Sequence, residues 1–147
     1  MNGGAIRSPS AGGLGIDIAD PHTFEHLAPA AIERAARRWL SPAERAWCAE
    51  QPSFRLAMVT VLSCKESVCK ATGGGTPVAE ATLVMEGAWP RGRARAAGPE
   101  PVALWWEVGS RLILTVGVRG LSDDAGPLVD YIMCGRGMCG RGGTEAT

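Results

Sequence analysis

Residues 54–75 read FRLAMVTVLSCKESVCKATGGG, and the fold turns on them. Neither Pro nor Gly interrupts the run from Phe54 to Thr72, and three glycines end it, so the stretch is predicted as one long helix capped by Ser53. Gly73 supplies the left-handed residue with which helices commonly stop. On such a helix Glu66 and Lys70, four apart, share a face and present a carboxylate beside an ammonium. That pair suits a divalent cation and a pyrophosphate. It is also the commonest decoration of an exposed helix, so alone it decides nothing.

Toward the N-terminus, Leu14, Ile16 and Ile18 alternate with Gly15 and Asp17. Period two marks a strand, which puts Asp17 on the face opposite the apolar residues or at the strand end. Asp20-Pro21 reads as a helix start, with Asp20 as N-cap and Pro21 at the first helical position, so Asp17 is expected at a strand-to-helix junction. His22 and His26 would then share one face of a short helix, as surface or subunit-contact residues or, alternatively, in a metal or acid/base role. Pro29 to Leu40 is an alanine-rich helix that carries Arg34, Arg37 and Arg38. Ser41-Pro42-Ala43-Glu44 opens another with a capping box, and Gln51-Pro52 ends it.

Beyond the glycines the pattern turns strand-like at Ala81 to Glu86, Val102 to Val108 and Arg111 to Val118, with a further run at Leu128 to Cys134. Gly109-Ser110 is expected as a two-residue hairpin turn. Trp89 to Pro101, with Arg91, Arg93 and Arg95 among Gly, Ala and Pro, reads as a mobile basic loop. The expected organisation is a flexible N-terminus at 1–13, one domain at 14–134 and a flexible Gly-rich tail at 135–147. Its class is α+β: one long central helix and shorter helices packed on a small antiparallel sheet.

A chain of 147 residues that is 46% hydrophobic has enough apolar material for one domain with a real core. Fifteen basic residues balance fifteen acidic ones, which argues against nucleic acid or a membrane surface as partner. Trp105 and Trp106 are adjacent, point to opposite faces of a strand and form no stacking platform. No apolar run is long enough for a bilayer, and Met1 to Gly13 lacks the apolar core of a signal peptide, so a soluble cytoplasmic protein is expected. Five cysteines without a secretion signal do not suggest a disulfide framework. Cys48, Cys64 and Cys69 read as small buried or half-buried helix residues, and Cys134 and Cys139 lack the further ligands a zinc site needs.

Three phrases occur in one order: Gly15-Ile16-Asp17-Ile18, then Ser41-Pro42-Ala43-Glu44, then Lys65-Glu66-Ser67-Val68-Cys69-Lys70-Ala71-Thr72-Gly73. Together they resemble the 4′-phosphopantetheinyl transferases, which move the phosphopantetheine arm of coenzyme A onto a serine of a carrier protein. The specific motifs span Leu14 to Gly73, and a general strand pattern continues to Cys134. Ala19 stands where the larger two-lobed members have a third acidic residue. That and the chain length make the likeness greatest to the short holo-acyl-carrier-protein synthases, which are similar in length and assemble as trimers with sites between neighbouring subunits.

The resemblance implies the same fold, with Asp17, Glu66 and Lys70 as catalytic residues. Asp17 and Glu66 would be the protein ligands of magnesium, with pyrophosphate oxygens and waters completing the shell. Lys70 would lie against the pyrophosphate of coenzyme A and stabilise the departing 3′,5′-ADP; Lys65 would help hold coenzyme A phosphates, and Gly73 would close the helix beside the cofactor. The serine proton would pass to Glu66 or to a metal-bound water, with Glu44 secondary. The implied partner is an acyl or peptidyl carrier protein, whose acidic helix calls for a basic face at Arg34, Arg37 and Arg38 or at Arg91, Arg93 and Arg95. Two departures stand out. The late-strand histidine of related chains is absent from Ile113 to Arg119, where Thr115 and Arg119 are the polar residues, and Ser67 replaces a common alanine. The first departure keeps open a non-catalytic carrier-binding or structural domain that retains the fold.

Overall fold

The computed structural model describes residues 12–87, 89–98 and 101–120. The unbroken apolar run of the sequence forms a helix, Phe54–Ala71 (α3), which crosses one face of a five-stranded antiparallel sheet. Before it come a strand, Gly13–Ala19 (β1), and two helices, Pro29–Trp39 (α1) and Pro42–Ala49 (α2). After it come Leu83–Glu86 (β2), Arg91–Ala96 (β3), Val102–Val108 (β4) and Ile113–Arg119 (β5). The sheet order is β1-β5-β4-β3-β2, so the first strand pairs with β5 and Asp17 lies opposite Thr115. This is the α+β architecture expected, with three helices on an antiparallel sheet among the described residues.

Two of the helices begin at a serine cap, and α1 begins at Pro29, whose missing N–H removes one orphan donor of the first turn. Ser41 Oγ accepts from Glu44 N while Glu44 Oε2 accepts from Ser41 N, the reciprocal capping box read in the sequence. Ser53 Oγ accepts from Leu56 N at the start of α3. That helix ends in a Schellman motif: Gly74 N donates to Cys69 O at 2.8 Å and Gly73 N to Lys70 O at 3.1 Å. Gly73 and Gly74 have φ of 61° and 84°, a region in which an L side chain is strained.

Val102, Leu104 and Trp106 of β4, with Leu83, Ala94 and Ala96, point inward onto Met58, Val61, Cys64 and Val68 of α3. Trp106 is the largest of these buried side chains, and the Trp47 ring meets it edge-on with centroids 5.5 Å apart. A second apolar cluster lies on the opposite face, where Leu114, Val116 and Val118 pack with Ile16 and Trp105.

Four sequence expectations need correction. Trp89 to Pro101 is not a loop, because Arg91–Ala96 is a paired strand between β2 and β4. Its alternation places Ala94 and Ala96 inside and the arginines outside, a period-two signal hidden by small apolar residues. Asp20-Pro21 does not start a helix. Residues 21–26 form successive turns joined by bonds to the third residue back, such as Glu25 N to His22 O at 3.0 Å, because Asp20 Oδ1 accepts from His22 N and closes an Asx-turn. His22 and His26 therefore share no helical face. Finally, Gly109-Ser110 is half of a four-residue connection: Val108 pairs with Ile113, and Gly109 N donates to Leu112 O at 2.8 Å. The neighbouring strands are trimmed accordingly, starting at Leu83 and Ile113 rather than at Ala81 and Arg111. Of the N-terminus expected to be flexible, 1–13, Gly13 belongs to β1; residues 1–11, the expected tail at 135–147, the run from Leu128 to Cys134, and Cys134 and Cys139 lie outside the described residues.

Candidate functional site

The site begins with the backbone of β1. Gly13 and Gly15 face α3 so closely that a Cβ on Gly15 would lie 1.9 Å from the Ser67 carbonyl oxygen, and one on Gly13 1.8 Å from that of Ala71. Only glycine allows this approach, and it brings the next residue on the same face, Asp17, against the helix. The apolar residues of β1 face the other way, and Leu14 and Ile18 are half exposed there.

On α3 a polar stripe at helical spacing, Ser63, Glu66, Ser67 and Lys70, meets that strand. Lys70 Nζ donates to Asp17 Oδ1 at 2.7 Å and to the Ile16 carbonyl at 3.0 Å. Ser63 Oγ donates to the other carboxylate oxygen, Oδ2, at 2.6 Å. Asp17 and Glu66 line one recess of about 160 Å³ with Ser63, Phe24, Val59 and Leu62. The two carboxylates, 49 positions apart in sequence, thus share one small space. The carboxylate of Glu66 is exposed and makes no hydrogen bond or ion pair among the described residues.

The Lys70–Asp17 pair lies at the surface on its lysine side. Lys70 is 48% exposed, so solvent screens the attraction and the ammonium is free to follow a more strongly charged anion. Its position in the last turn of α3 also sets it against the negative end of the helix dipole.

Lys65 behaves differently. Its ammonium is buried, 2.9 Å from Glu44 Oε2 and 2.8 Å from the Trp39 carbonyl, which ties α3 to α1 and α2. The neighbour of Glu66 in sequence therefore points into the helix layer. The expectation that Lys65 holds coenzyme A phosphates finds no support in this geometry. Glu44 is more than a cap, since its Oε1 also accepts from Leu83 N at 2.8 Å. Gly73 forms the helix stop, and its φ accounts for the residue.

Two contributors, Ser63 and Arg55, escaped the sequence reading, and Thr115, noted there only as a polar residue of the late strand, joins them. Ser63 Oγ holds Asp17 from beneath and is itself in contact with Thr115 Oγ1, and a pair of serines four apart on one face of the helix was the available signal. Arg55 donates to three main-chain carbonyls, those of Phe24, Glu25 and Leu27, and so fixes the turn segment that walls the recess. No local pattern announces such a contact.

The chemistry open to these groups follows from their types. Two carboxylates are hard oxygen donors, and magnesium is usually bound by one or two carboxylates plus substrate phosphates and water. No group of three His, Cys, Asp or Glu side chains that could hold a metal occurs among the described residues, so an all-protein metal cage is not built there. Asp17 and Glu66 fit a cation that relies on its substrate. Thiol chemistry is disfavoured at Cys48 and Cys64: burial, with Glu44 adding to it, pushes the Cys48 thiol up to about 12, and burial, with Asp17 and Glu44 adding to it, also raises Cys64.

The basic surfaces also sort themselves. Arg34, Arg37 and Arg38 are exposed on α1, where Arg37 pairs with Glu33 and Arg38 lies over the Trp39 ring. Beside them a cleft of about 680 Å³ opens between α1, α2 and the start of α3, with Ile32, Ala36 and Phe54 in its lining and Arg37, Arg45 and Arg55 around it. On β3 each arginine has a local partner: Arg91 reaches Glu107, Arg95 reaches Glu86, and Arg93 lies over Trp105. No helix among the described residues is long and apolar enough to cross a membrane.

A family model, that of the 4′-phosphopantetheinyl transferase superfamily, matches residues 13–108, from β1 to the end of β4. No curated protein sequence matches the chain significantly. The family match covers nearly two thirds of the chain and contains Asp17, Glu66 and Lys70, and the chain belongs to that superfamily.

Proposed function

We propose that this member of the 4′-phosphopantetheinyl transferase superfamily is a magnesium-dependent enzyme of the short holo-acyl-carrier-protein synthase type. It moves 4′-phosphopantetheine from coenzyme A to a serine of an apo acyl or peptidyl carrier protein and releases 3′,5′-ADP. The observation that carries this reading is the meeting of Asp17 and Glu66 in one recess, with Lys70 on Asp17 at 2.7 Å.

In the proposed reaction the serine oxygen bonds to the β-phosphorus of coenzyme A while the bond from that phosphorus to the bridging oxygen breaks. The electron pair leaves with 3′,5′-ADP. Asp17 and Glu66 would hold magnesium, which when bound neutralises pyrophosphate charge and orients the phosphoryl group. Phosphoryl transfer depends mainly on positioning and charge neutralisation, and these residues supply both. Glu66, whose carboxylate has no partner among the described residues, accepts the serine proton. Lys70 shifts from Asp17 to the pyrophosphate and stabilises the departing charge.

The carrier docks its acidic helix on α1 at Arg34, Arg37 and Arg38, beside the basic-rimmed cleft. What favours this placement is the cleft beside α1, which Arg37, Arg45 and Arg55 surround. The proposed assembly is a trimer by likeness to the short synthases, and the half-exposed Leu14 and Ile18 on the outer face of β1 offer an apolar surface for a contact between copies.

The test is to incubate the protein with coenzyme A, magnesium and apo carrier proteins of fatty-acid, polyketide and peptide synthesis, and to weigh the carriers. A gain equal to one phosphopantetheine group is expected on at least one. No gain on any carrier, together with no coenzyme A binding by calorimetry, would leave a non-catalytic domain as the better reading.

A further inference from the structure

Beneath Asp17 three hydroxyl groups touch one another in sequence, and counting their hydrogens gives the contact a direction. Ser63, Thr115 and Ser67 are buried, at 2%, 0% and 0% exposure, so bulk water cannot satisfy them. Ser63 Oγ lies 2.6 Å from Asp17 Oδ2, and an ionised carboxylate only accepts, so the Ser63 hydrogen goes to Asp17. Ser63 Oγ can then only accept from Thr115. Thr115 Oγ1 lies 3.0 Å from it and 3.0 Å from the Ser63 carbonyl, and a single Thr115 hydrogen shared between these two acceptors serves both contacts. With the Thr115 hydrogen so placed, Ser67 Oγ, 2.6 Å from Thr115 Oγ1, is the donor there. Its second contact, to the Thr115 carbonyl at 3.3 Å, calls on the same hydrogen.

We propose that Ser67, Thr115 and Ser63 are positioning residues: a one-way chain of donors that fixes the Asp17 carboxylate, so that Oδ2 stays with the protein and Oδ1 is the oxygen offered to the divalent cation. This rests on the reading of Asp17 as a magnesium ligand. Donors aligned head to tail polarise one another, and the last one meets a charged acceptor, where a hydrogen bond is strongest. Oδ1 is the oxygen that Lys70, on the exposed side, now holds, and Lys70 is the partner free to leave. Ser67, where alanine is common in this motif, thereby acquires a role. It supplies the first hydrogen of the chain, and β5 supplies Thr115 to carry it across to α3.

The test is calorimetric titration of magnesium, with saturating coenzyme A, into the wild type, Thr115→Val, Thr115→Ser and Ser67→Ala, with the melting temperature of each recorded in chelator. Thr115→Val keeps the shape and removes the link, and its magnesium affinity should fall about 10- to 100-fold, the usual effect of losing a partner of a metal ligand. Thr115→Ser restores the hydroxyl and should bind within about twofold of wild type by the same reasoning. Ser67→Ala, one link further out, should show a smaller loss in the same direction.

A structural role alone would lower the metal-free melting temperature and leave magnesium affinity unchanged, and that result overturns the proposal. If Thr115→Val does not fold, unchanged magnesium affinity in Ser67→Ala overturns it equally. A wild type that binds no magnesium in the presence of coenzyme A fails at an earlier step: it removes the reading of Asp17 as a ligand, and the proposal with it.

Discussion

Lys65 Nζ sits 2.9 Å from Glu44 Oε2, with the two side chains 3% and 0% exposed. Glu44 also accepts from the amides of Ser41 and Leu83, so one carboxylate joins the start of α2 to α3 and to β2. Burying two charges is costly, and removing one partner leaves the other uncompensated. Lys65→Met should therefore destabilise the protein by about 3–5 kcal/mol in urea unfolding, without raising the KM for coenzyme A of the folded fraction. An unchanged unfolding midpoint with a raised KM would return Lys65 to a phosphate-binding role.

Glu66 offers the opposite combination. Its carboxylate is exposed and without a partner among the described residues, so Glu66→Ala should leave stability within about 0.5 kcal/mol. Transfer to the carrier should fall by a factor on the order of 100 or more, as when a general base is lost. Asp17→Ala should also abolish transfer, and by removing the acceptor of Lys70 and Ser63 it should alter stability more than the glutamate change does. Full activity in both variants would refute the proposed metal site.

Two glycines should respond differently to alanine. At Gly15 the new methyl would lie 1.9 Å from the Ser67 carbonyl, so strand and helix must separate; a loss of about 1–3 kcal/mol or more is expected. At Gly73 nothing lies within 4 Å, and only the positive φ opposes the change, for a loss of about 1–2 kcal/mol. Chemical denaturation of the two variants checks the order. A Gly73→Ala loss larger than that of Gly15→Ala would refute the close approach of β1 to α3.

His22 should titrate above 6.5, because a hydrogen bond and the charge of Glu25, 2.5 Å away, favour its protonated form, with Asp20 adding to them. Since the folded value is raised, any contribution to the 20–27 turns is fully present below 6.5 and is lost as pH rises through the folded value. Proton NMR of the imidazole gives the titration directly. Glu25→Gln should move it back toward 6.5, and no movement would show that another group holds the proton.

What the sequence made legible was periodic or punctuated. The long helix, its Ser53 cap, its glycine stop and the Ser41/Glu44 capping box are local events, decided by residues within a few positions of one another. Asp17, Glu66 and Lys70 were readable as candidates because three phrases occurred in a fixed order. The β3 strand was missed because Arg91 to Ala96, though charged and uncharged residues alternate in it, holds only glycine and alanine on its inner face and none of the β-branched or aromatic residues that mark strands. The turns after Asp20 were missed because Asp-Pro suits both a helix cap and an Asx-turn, and local chemistry does not choose between them. The inward turn of Lys65, the reach of Arg55 and the hydroxyls under Asp17 each depend on partners 26 to 52 residues away, where local spacing carries no signal.

The contact of β1 with α3 through Gly13 and Gly15 has a bearing on how such a chain tolerates mutation. Main chain meets helix there with no side chain between them, so the separation is set by atoms that substitution elsewhere does not alter. A Leu or Val lost from the interior behind Trp106 weakens the protein but changes no spacer between Asp17 and Lys70. The interior of this chain can vary at the expense of stability while the two charged residues keep their register, which separates drift in the core from drift in the chemistry.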